Sequence, residues 1–210
     1  MIEEEPGIRE VELARWTEFV DGGIRNAVSG LSDFMGVDIT VTAIDLKIIP
    51  ATQVADLVGG VENEVIVSYV AMTGGATGHI MLIYPIPVAF GLVDMLMGEE
   101  PGTTDDLGEL EYSALQEMGN VTGSFFLNSI ADNTGVRLMP SPPTVMMDMA
   151  GAILDAALAD IMMDREEMFA METIFATKER EIRGMLLVLP TADFMDIMMK
   201  HKKEYAKVQW

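Results

Sequence analysis

Apolar residues recur at helical spacing along two long stretches of the chain. In residues 8–35 and again in about 107–132, an apolar residue appears every three or four positions, which is typical of a helix with one buried face. Gly36 and Gly135 follow these stretches and are candidate caps for the helix ends. We therefore predict a long helix at the start of each half of the chain.

The shorter segments after each long helix repeat in the same order. The first half is predicted to contain a strand over 37–49, a short helix over 51–58, hairpin strands 64–72 and 78–84, and a helix over 87–97. The second half is predicted to contain an extended stretch over 136–147, a helix over 150–163, strands 167–176 and 182–189, and a helix from 190 to about 207. Gly36 and Gly135 are 99 residues apart, and Pro87 and Pro190 are 103 apart. Such offsets indicate a twofold internal repeat whose loops differ in length.

This repeat predicts an α+β fold made of two helix-strand-helix-hairpin-helix halves. The strands of both halves would share one antiparallel sheet about a pseudo-twofold axis, with the long helices packed on it. An acidic, turn-rich linker at about 99–106 separates pseudo-repeats at 8–98 and 107–207. Because the linker is short, we predict a single domain over residues 1–210.

Composition and charge make several classes of function unfavourable. Half of the 210 residues are hydrophobic, as in a globular protein with a buried core. There is no cysteine, and His79 and His201 have no partner at ligand spacing, so we expect no metal site and no histidine-based triad. A net charge of −21 would repel nucleic acid and anionic membranes. The acidic first residues do not resemble a signal peptide, which predicts a cytoplasmic protein.

A polar stripe runs along the second long helix. Its members, at spacings that place them on one face, are Ser113, Glu117, Asn120 and Ser124. The residues expected to seat the helix on the sheet are Leu110, Ala114, Met118, Val121 and Phe125. From periodicity alone, a solvated helix face is the simpler interpretation of the stripe. Asparagine is nevertheless a poor helix former, and the small residues Gly119 and Gly123 would let a partner's backbone approach it.

The same residues carry a family resemblance. Ser113, Glu117 and Asn120, followed after 22 residues by Pro143, resemble the signature of the CheC family of chemotaxis phosphatases. The run 117–124 is similar to that family's active-site helix, and the segment order matches along nearly the whole chain. CheX and the middle domain of flagellar switch proteins such as FliM and FliY share this fold, and fold alone does not establish catalysis.

The resemblance implies hydrolysis of the aspartyl phosphate on a CheY-type response regulator. The regulator would supply the acyl phosphate and a bound Mg²⁺, so this chain would need no cofactor or metal of its own. Asn120 would hold the attacking water in line, as the water-positioning glutamine does in GTPases. Glu117 would anchor the helix by pairing with a cation of the regulator. Ser113 and Pro143 would complete the motif.

The first half predicts how many sites the chain carries. Subtracting 99 from the motif positions leads to Ala14, Glu18, Asp21 and Ile44. Glu18 is retained, whereas Asp21 replaces the asparagine and the two flanking motif residues are lost. Family members often carry two sites. This chain departs from that pattern, and we predict one active site and a degenerate one at Glu18 and Asp21.

An alternative of another class is a non-catalytic adaptor with the same fold. It would be a flagellar switch-like module or a regulator that binds a CheD deamidase. Asp155, between Leu154 and Leu158, lies in a helix that resembles the one offered to CheD, although a helix packed on its own sheet has the same pattern. A small-molecule sensor, a third class, has no pocket signature in the sequence.

Overall fold

The computed structural model describes residues 10–158, 167–178, 181–191 and 194. The helices are α1 (Glu10–Met35), α2 (Ile86–Met97), α3 (Glu109–Thr134) and α4 (Ala150–Leu158). The strands are β1 (Thr40–Pro50), β2 (Glu64–Gly74), β3 (Gly78–Pro85), β4 (Leu138–Pro140), β5 (Thr144–Met149), β6 (Glu167–Ala176) and β7 (Glu181–Pro190). Two short 3-10 turns, Ala51–Gln53 and Ala55–Val58, follow β1.

The strands of the two halves interleave in one antiparallel sheet. Its order is β1-β6-β7-β3-β2-β4, and β5 also pairs with β2. β1 of the first half pairs with β6 of the second, while β4 and β5 of the second half pair with β2 of the first. β3 and β7 meet at the centre. This confirms the predicted α+β fold, in which two halves share an antiparallel sheet.

Both faces of the sheet are covered by apolar contacts. The larger core lies between the sheet and α1, α2 and α3, and it includes Ile66 and Phe126. A smaller core on the opposite face joins Val65 and Val67 to the 3-10 turns and to Leu154 of α4. Successive residues of a strand point to opposite faces, so the uninterrupted apolar run at the start of β2 reflects burial on both sides.

The two long helices pack on each other across one face of the sheet. Both span 26 residues and begin 99 positions apart, the offset that the sequence repeat predicts. Gly23 of α1 lies next to the ring of Phe126 of α3. A carbon of that ring is 2.8 Å from where a Cβ on Gly23 would stand. Glycine is a poor helix former. The glycines inside α1 nevertheless favour the fold, because their lack of a side chain lets α3 pack close to α1.

Several predicted boundaries differ from the structure. The strand predicted over 37–49 begins at residue 40 and extends through Pro50, which pairs with Glu167 at the sheet edge. The short helix over 51–58 is two 3-10 turns. The stretch over 136–147 is divided into β4 and β5 around Pro142 and Pro143, because proline cannot donate to a ladder. The end of the helix over 150–163 and nearly all of the last helix, predicted to reach 207, lie outside the described residues.

A buried carboxylate holds the predicted linker against α2. Asp94 is fully buried, and its side-chain oxygens accept hydrogen bonds from the backbone N–H of Gly102 (2.6 Å) and Thr104 (2.8 Å). Burial opposes the charged form, but hydrogen bonds from Thr104 and the neighbouring N–H groups outweigh it, so the pKa of Asp94 lies below its ordinary value. The acidic loop is thereby fixed shortly before α3 begins.

In the parts of the chain that the structure describes, no helix has both the length and the apolar character needed to cross a bilayer.

Candidate functional site

Three of the motif residues, Ser113, Glu117 and Asn120, lie on α3, whose two ends are capped. At the start, the Glu111 carboxylate accepts a hydrogen bond from the Gly108 N–H at 2.9 Å. At the end, Gly135 has a φ of +68°, and its N–H donates to the Ala131 carbonyl. Both contacts satisfy backbone groups that a helix leaves unpaired. The helix that presents the motif is therefore defined at both termini.

The polar stripe of α3 faces outward. Ser113 and Glu117 are exposed, and Asn120 and Ser124 are half-buried. Among the described residues, no side chain forms a hydrogen bond or an ion pair with the carboxylate of Glu117 or the carboxamide of Asn120. One turn of the helix separates these two residues. Their polar atoms are thus available to a partner on the same side of α3.

The apolar face predicted for α3 is wrong in part. Met118 is buried, but Leu110 and Phe125 are 70% and 40% exposed. The buried residues instead include Leu115, Met118, Gly119, Thr122, Gly123, Phe126 and Leu127. The face of α3 that packs on the sheet is therefore rotated, relative to the predicted face, toward Gly119 and Gly123. Hydrophobic periodicity does not detect it, because glycine has no side chain to contribute to the pattern.

The glycines of α3 serve the fold and do not form a surface for a partner, contrary to the sequence prediction. Gly119 faces β2, where a Cβ would contact Ser68, and Gly123 faces Val70 on the same strand. Both glycines are buried. Their small size lets α3 lie close to β2.

Tertiary structure brings Pro143 to the motif helix. A carbon of Pro143 lies 3.4 Å from where a Cβ on Gly119 would stand, one residue before Asn120. The loop that carries Pro143 is tied to β2, because Ser141 donates its N–H to the Ala71 carbonyl at 2.8 Å and its hydroxyl accepts the Ala71 N–H at 3.0 Å. Pro143 is therefore packed against the helix that carries Ser113, Glu117 and Asn120. No spacing in the sequence pointed to Ser68 or Ser141.

The corresponding region of α1 differs in its electrostatics. Asp21, at the position equivalent to Asn120, is half-buried and forms two hydrogen bonds with Arg25, Nε to Oδ2 at 2.7 Å and Nη2 to Oδ1 at 2.9 Å. Glu18 lies one turn earlier on the same helix. Arg25 was not predicted from the sequence, although an acid and a base four residues apart on a helix are a recognisable pair. Ile44 is packed against the larger core.

Asp155 lies away from the motif. It is exposed on α4, while Ile153 and Leu154 pack into the smaller core. That core is on the opposite face of the sheet from α3. The structure therefore does not bring Asp155 together with Glu117 and Asn120.

A groove near the ends of α1 and α2 contains none of the motif residues. It has a volume of about 600 Å³ and is lined by Asp33, Asp38, Glu100, Lys178 and neighbouring residues. Over the described ranges, no group of three or more His, Asp or Glu residues is placed to hold a metal ion. The motif surface on α3 is the candidate site.

Comparison with known proteins places the motif in a recognised family region. The sequence model of the CheC-like family matches residues 110–147, the segment that runs from the start of α3 through Pro143. The chain is 28% identical over 191 residues to the CheY-P phosphatase CheC of Bacillus subtilis (strain 168). That alignment covers 89% of this chain and 91% of the relative.

Solved structures share the fold. Thermotoga maritima FliY matches with a TM-score of 0.69 at 20% identity, over 92% of this chain and 96% of that one. The FliM middle domain from H. pylori has a TM-score of 0.60 at 12% identity, over 92% and 99% of the two chains. The CheX-CheY-BeF3-Mg²⁺ complex from Borrelia burgdorferi has a TM-score of 0.54 at 18% identity, over 82% and 97%. With the family match and the relative above, these structures confirm the predicted resemblance of this chain to the CheC-like family.

Proposed function

We propose that this chain is a phosphatase that hydrolyses the aspartyl phosphate of a CheY-type response regulator. The observation that carries the proposal is the Asn120 carboxamide, which lies one turn from the Glu117 carboxylate; neither group has a partner among the described residues. The motif lies within the segment that matches the CheC-like family. The relative in Bacillus subtilis is named a CheY-P phosphatase, and the CheX relative is seen in complex with CheY, BeF3 and Mg²⁺.

In this proposal Asn120 positions the nucleophile. A carboxamide has one acceptor oxygen and two N–H donors, so it can accept a hydrogen bond from water and donate one to a phosphoryl oxygen. The water oxygen attacks phosphorus, the bond between phosphorus and the aspartyl oxygen breaks, and inorganic phosphate leaves. Because the regulator's carboxylate is a good leaving group, positioning and electrostatics supply most of the catalysis.

Glu117 anchors the regulator. Its exposed carboxylate can pair with a cation beside the regulator's phosphorylation site, such as a lysine, which would orient α3 over the acyl phosphate. The Mg²⁺ that the family resemblance implies would be held by the regulator. Ser113 lies one turn before Glu117 on α3, and Pro143 lies against Gly119, the residue before Asn120.

The first half would serve as scaffold, which leaves one active site. A carboxylate at position 21 would bring negative charge toward the phosphoryl group and weaken stabilisation of the transition state. Its oxygens also accept hydrogen bonds from Arg25, which competes with binding a water. In the same proposal, residues 1–210 form one domain with pseudo-repeats at 8–98 and 107–207.

A second candidate is a non-catalytic adaptor, favoured by the fold shared with FliM and FliY. One FliM neighbour was solved in complex with FliG. Under this reading, the exposed Asp155 of α4 is the proposed contact for a CheD deamidase. An adaptor would bind its partner without changing the lifetime of a phosphorylated regulator.

The assay that separates these candidates is release of inorganic phosphate from a phosphorylated CheY-type regulator, with and without this protein. Asn120→Ala is the test variant. Asn128→Ala is its matched control, because Asn128 is an exposed asparagine on the same helix. Binding of the regulator without faster phosphate release would overturn the phosphatase proposal and favour the adaptor.

A further inference from the structure

Gly119 and Ser68 meet where α3 crosses β2. Gly119 immediately precedes Asn120 and is buried, and Ser68 is 2% exposed. A Cβ on Gly119 would overlap the Ser68 hydroxyl, would lie 3.1 Å from the Ser68 Cβ and would lie 3.4 Å from a carbon of Pro143. The helix is thus seated as deeply on the strand as a residue without a side chain permits.

Ser68 cannot retreat from this contact. Its strand is paired on both sides, with Leu82 of β3 and Val145 of β5 opposite Ser68. Rotation about the Ser68 Cα–Cβ bond would move the hydroxyl but not the Cβ. Its hydroxyl has no hydrogen-bond partner in the described structure, so the residue contributes shape at this point, without a bond that would hold the helix.

We propose that Gly119 and Ser68 are positioning residues that set the depth of α3 on β2 at Asn120. This inference rests on the proposed phosphatase function. If the helix were raised at this contact, the Asn120 carboxamide would move relative to Pro143 and to the regulator docked through Glu117. The in-line water would then be misplaced although every motif side chain was still present.

Gly123 supplies an internal control one turn later. It is also a buried glycine of α3 that faces β2, but a Cβ there would lie 3.5 Å from the nearest carbons of Val70, which is ordinary van der Waals contact. Gly123→Ala and Gly119→Ala make the same chemical change in the same helix. They differ mainly in whether the added methyl group overlaps atoms of the strand or only contacts them.

The experiment compares Gly119→Ala, Gly123→Ala and the double variant Gly119→Ala with Ser68→Ala. Phosphate release yields kcat and KM, and the NMR resonance of the Asn120 carboxamide reports its environment independently of activity. Since small misplacements of catalytic groups are costly, we expect Gly119→Ala to lower kcat by about tenfold with KM changed less than about twofold. Gly123→Ala should stay within about twofold of wild type, and Ser68→Ala should restore about threefold or more to Gly119→Ala.

Wild-type kcat and an unmoved Asn120 resonance in Gly119→Ala would overturn the inference, as would equal losses in the two glycine variants. If Gly119→Ala does not fold, Ser68→Thr takes its place, because it enlarges the same contact by one methyl group from the strand side. Full activity in folded Ser68→Thr would then overturn the inference. A wild-type protein without phosphatase activity would instead defeat the proposed function, and the NMR comparison alone would decide the positioning role.

Discussion

Arg25 holds Asp21 in a two-point ion pair on α1, at the position that the repeat makes equivalent to Asn120. The shorter contact, Arg25 Nε to Asp21 Oδ2, is 2.7 Å. The side chains of Arg25 and Asp21 remain 64% and 41% exposed, so solvent screens the pair and it adds little to stability. The first half therefore differs from the second in charge and in side-chain availability.

The ion pair predicts that Asp21→Ala leaves phosphatase activity close to wild type. The variant removes a carboxylate that is already paired with Arg25. It changes no residue of α3. Phosphate release and thermal unfolding measure the two consequences, and both should change little. A large loss of activity with an unchanged circular dichroism spectrum would show that α1 carries chemistry and that two sites operate.

Asn120→Ala should abolish most of the accelerated dephosphorylation while the protein stays folded. The residue lies at the surface of α3 without a partner among the described residues, so its truncation removes positioning but little packing. Loss of a group that positions and polarises the reactants commonly costs about a hundredfold or more in rate. Asn128→Ala should behave as wild type. Equal activity in the two variants would remove Asn120 from the mechanism.

Glu117→Lys should weaken binding of the phosphorylated regulator more than Asn120→Ala does. The change replaces an expected ion pair with like-charge repulsion. Asp132→Lys is the matched control, because it makes the same charge change at an exposed position of α3 roughly 22 Å along the helix axis. Dissociation constants measured at low and high salt decide the question. If both lysine variants bind alike, Glu117 is a surface carboxylate without a role in recognition.

Asp94→Asn should reduce the dependence of stability on acid pH. The folded pKa of Asp94 is lowered from its ordinary value of 3.8, so its ionisation stabilises the fold above that value. This contribution is lost as the pH falls below 3.8 and through the lower folded pKa. In urea unfolding between pH 7 and pH 2, the difference in free energy of unfolding between wild type and Asp94→Asn should therefore become smaller as the pH decreases.

The control for Asp94 is Asp105→Asn, an exposed residue of the same loop region. Many carboxylates titrate in this range, so only the difference between each variant and wild type is informative. At neutral pH, Asp94→Ala should lower the free energy of unfolding by about 2 kcal/mol, because the N–H groups of Gly102 and Thr104 lose a charged acceptor. Identical behaviour of the Asp94 and Asp105 variants would show that the hydrogen bonds from Gly102 and Thr104 to Asp94 do not stabilise the fold.

The sequence by itself determined the repeat, the long helices and the polar stripe of α3. These features depend on local periodicity and on spacing, which a chain carries without reference to its fold. The 99-residue offset located α1 relative to α3 and makes Asp21 the counterpart of Asn120. The motif at Ser113, Glu117 and Asn120 needed only one helix to place its members on one side.

Only the tertiary structure decided what surrounds that stripe. Gly119 meets Ser68 and Pro143, yet these residues are distant in the chain and are joined by strand pairing, which no local pattern records. Leu110 and Phe125 were predicted to be buried but are exposed. The helix packs on the sheet partly through glycines, which have no side chain to contribute to a hydrophobic pattern. Contacts between a helix and a sheet depend on how whole elements pack, and periodicity reports only which face is apolar.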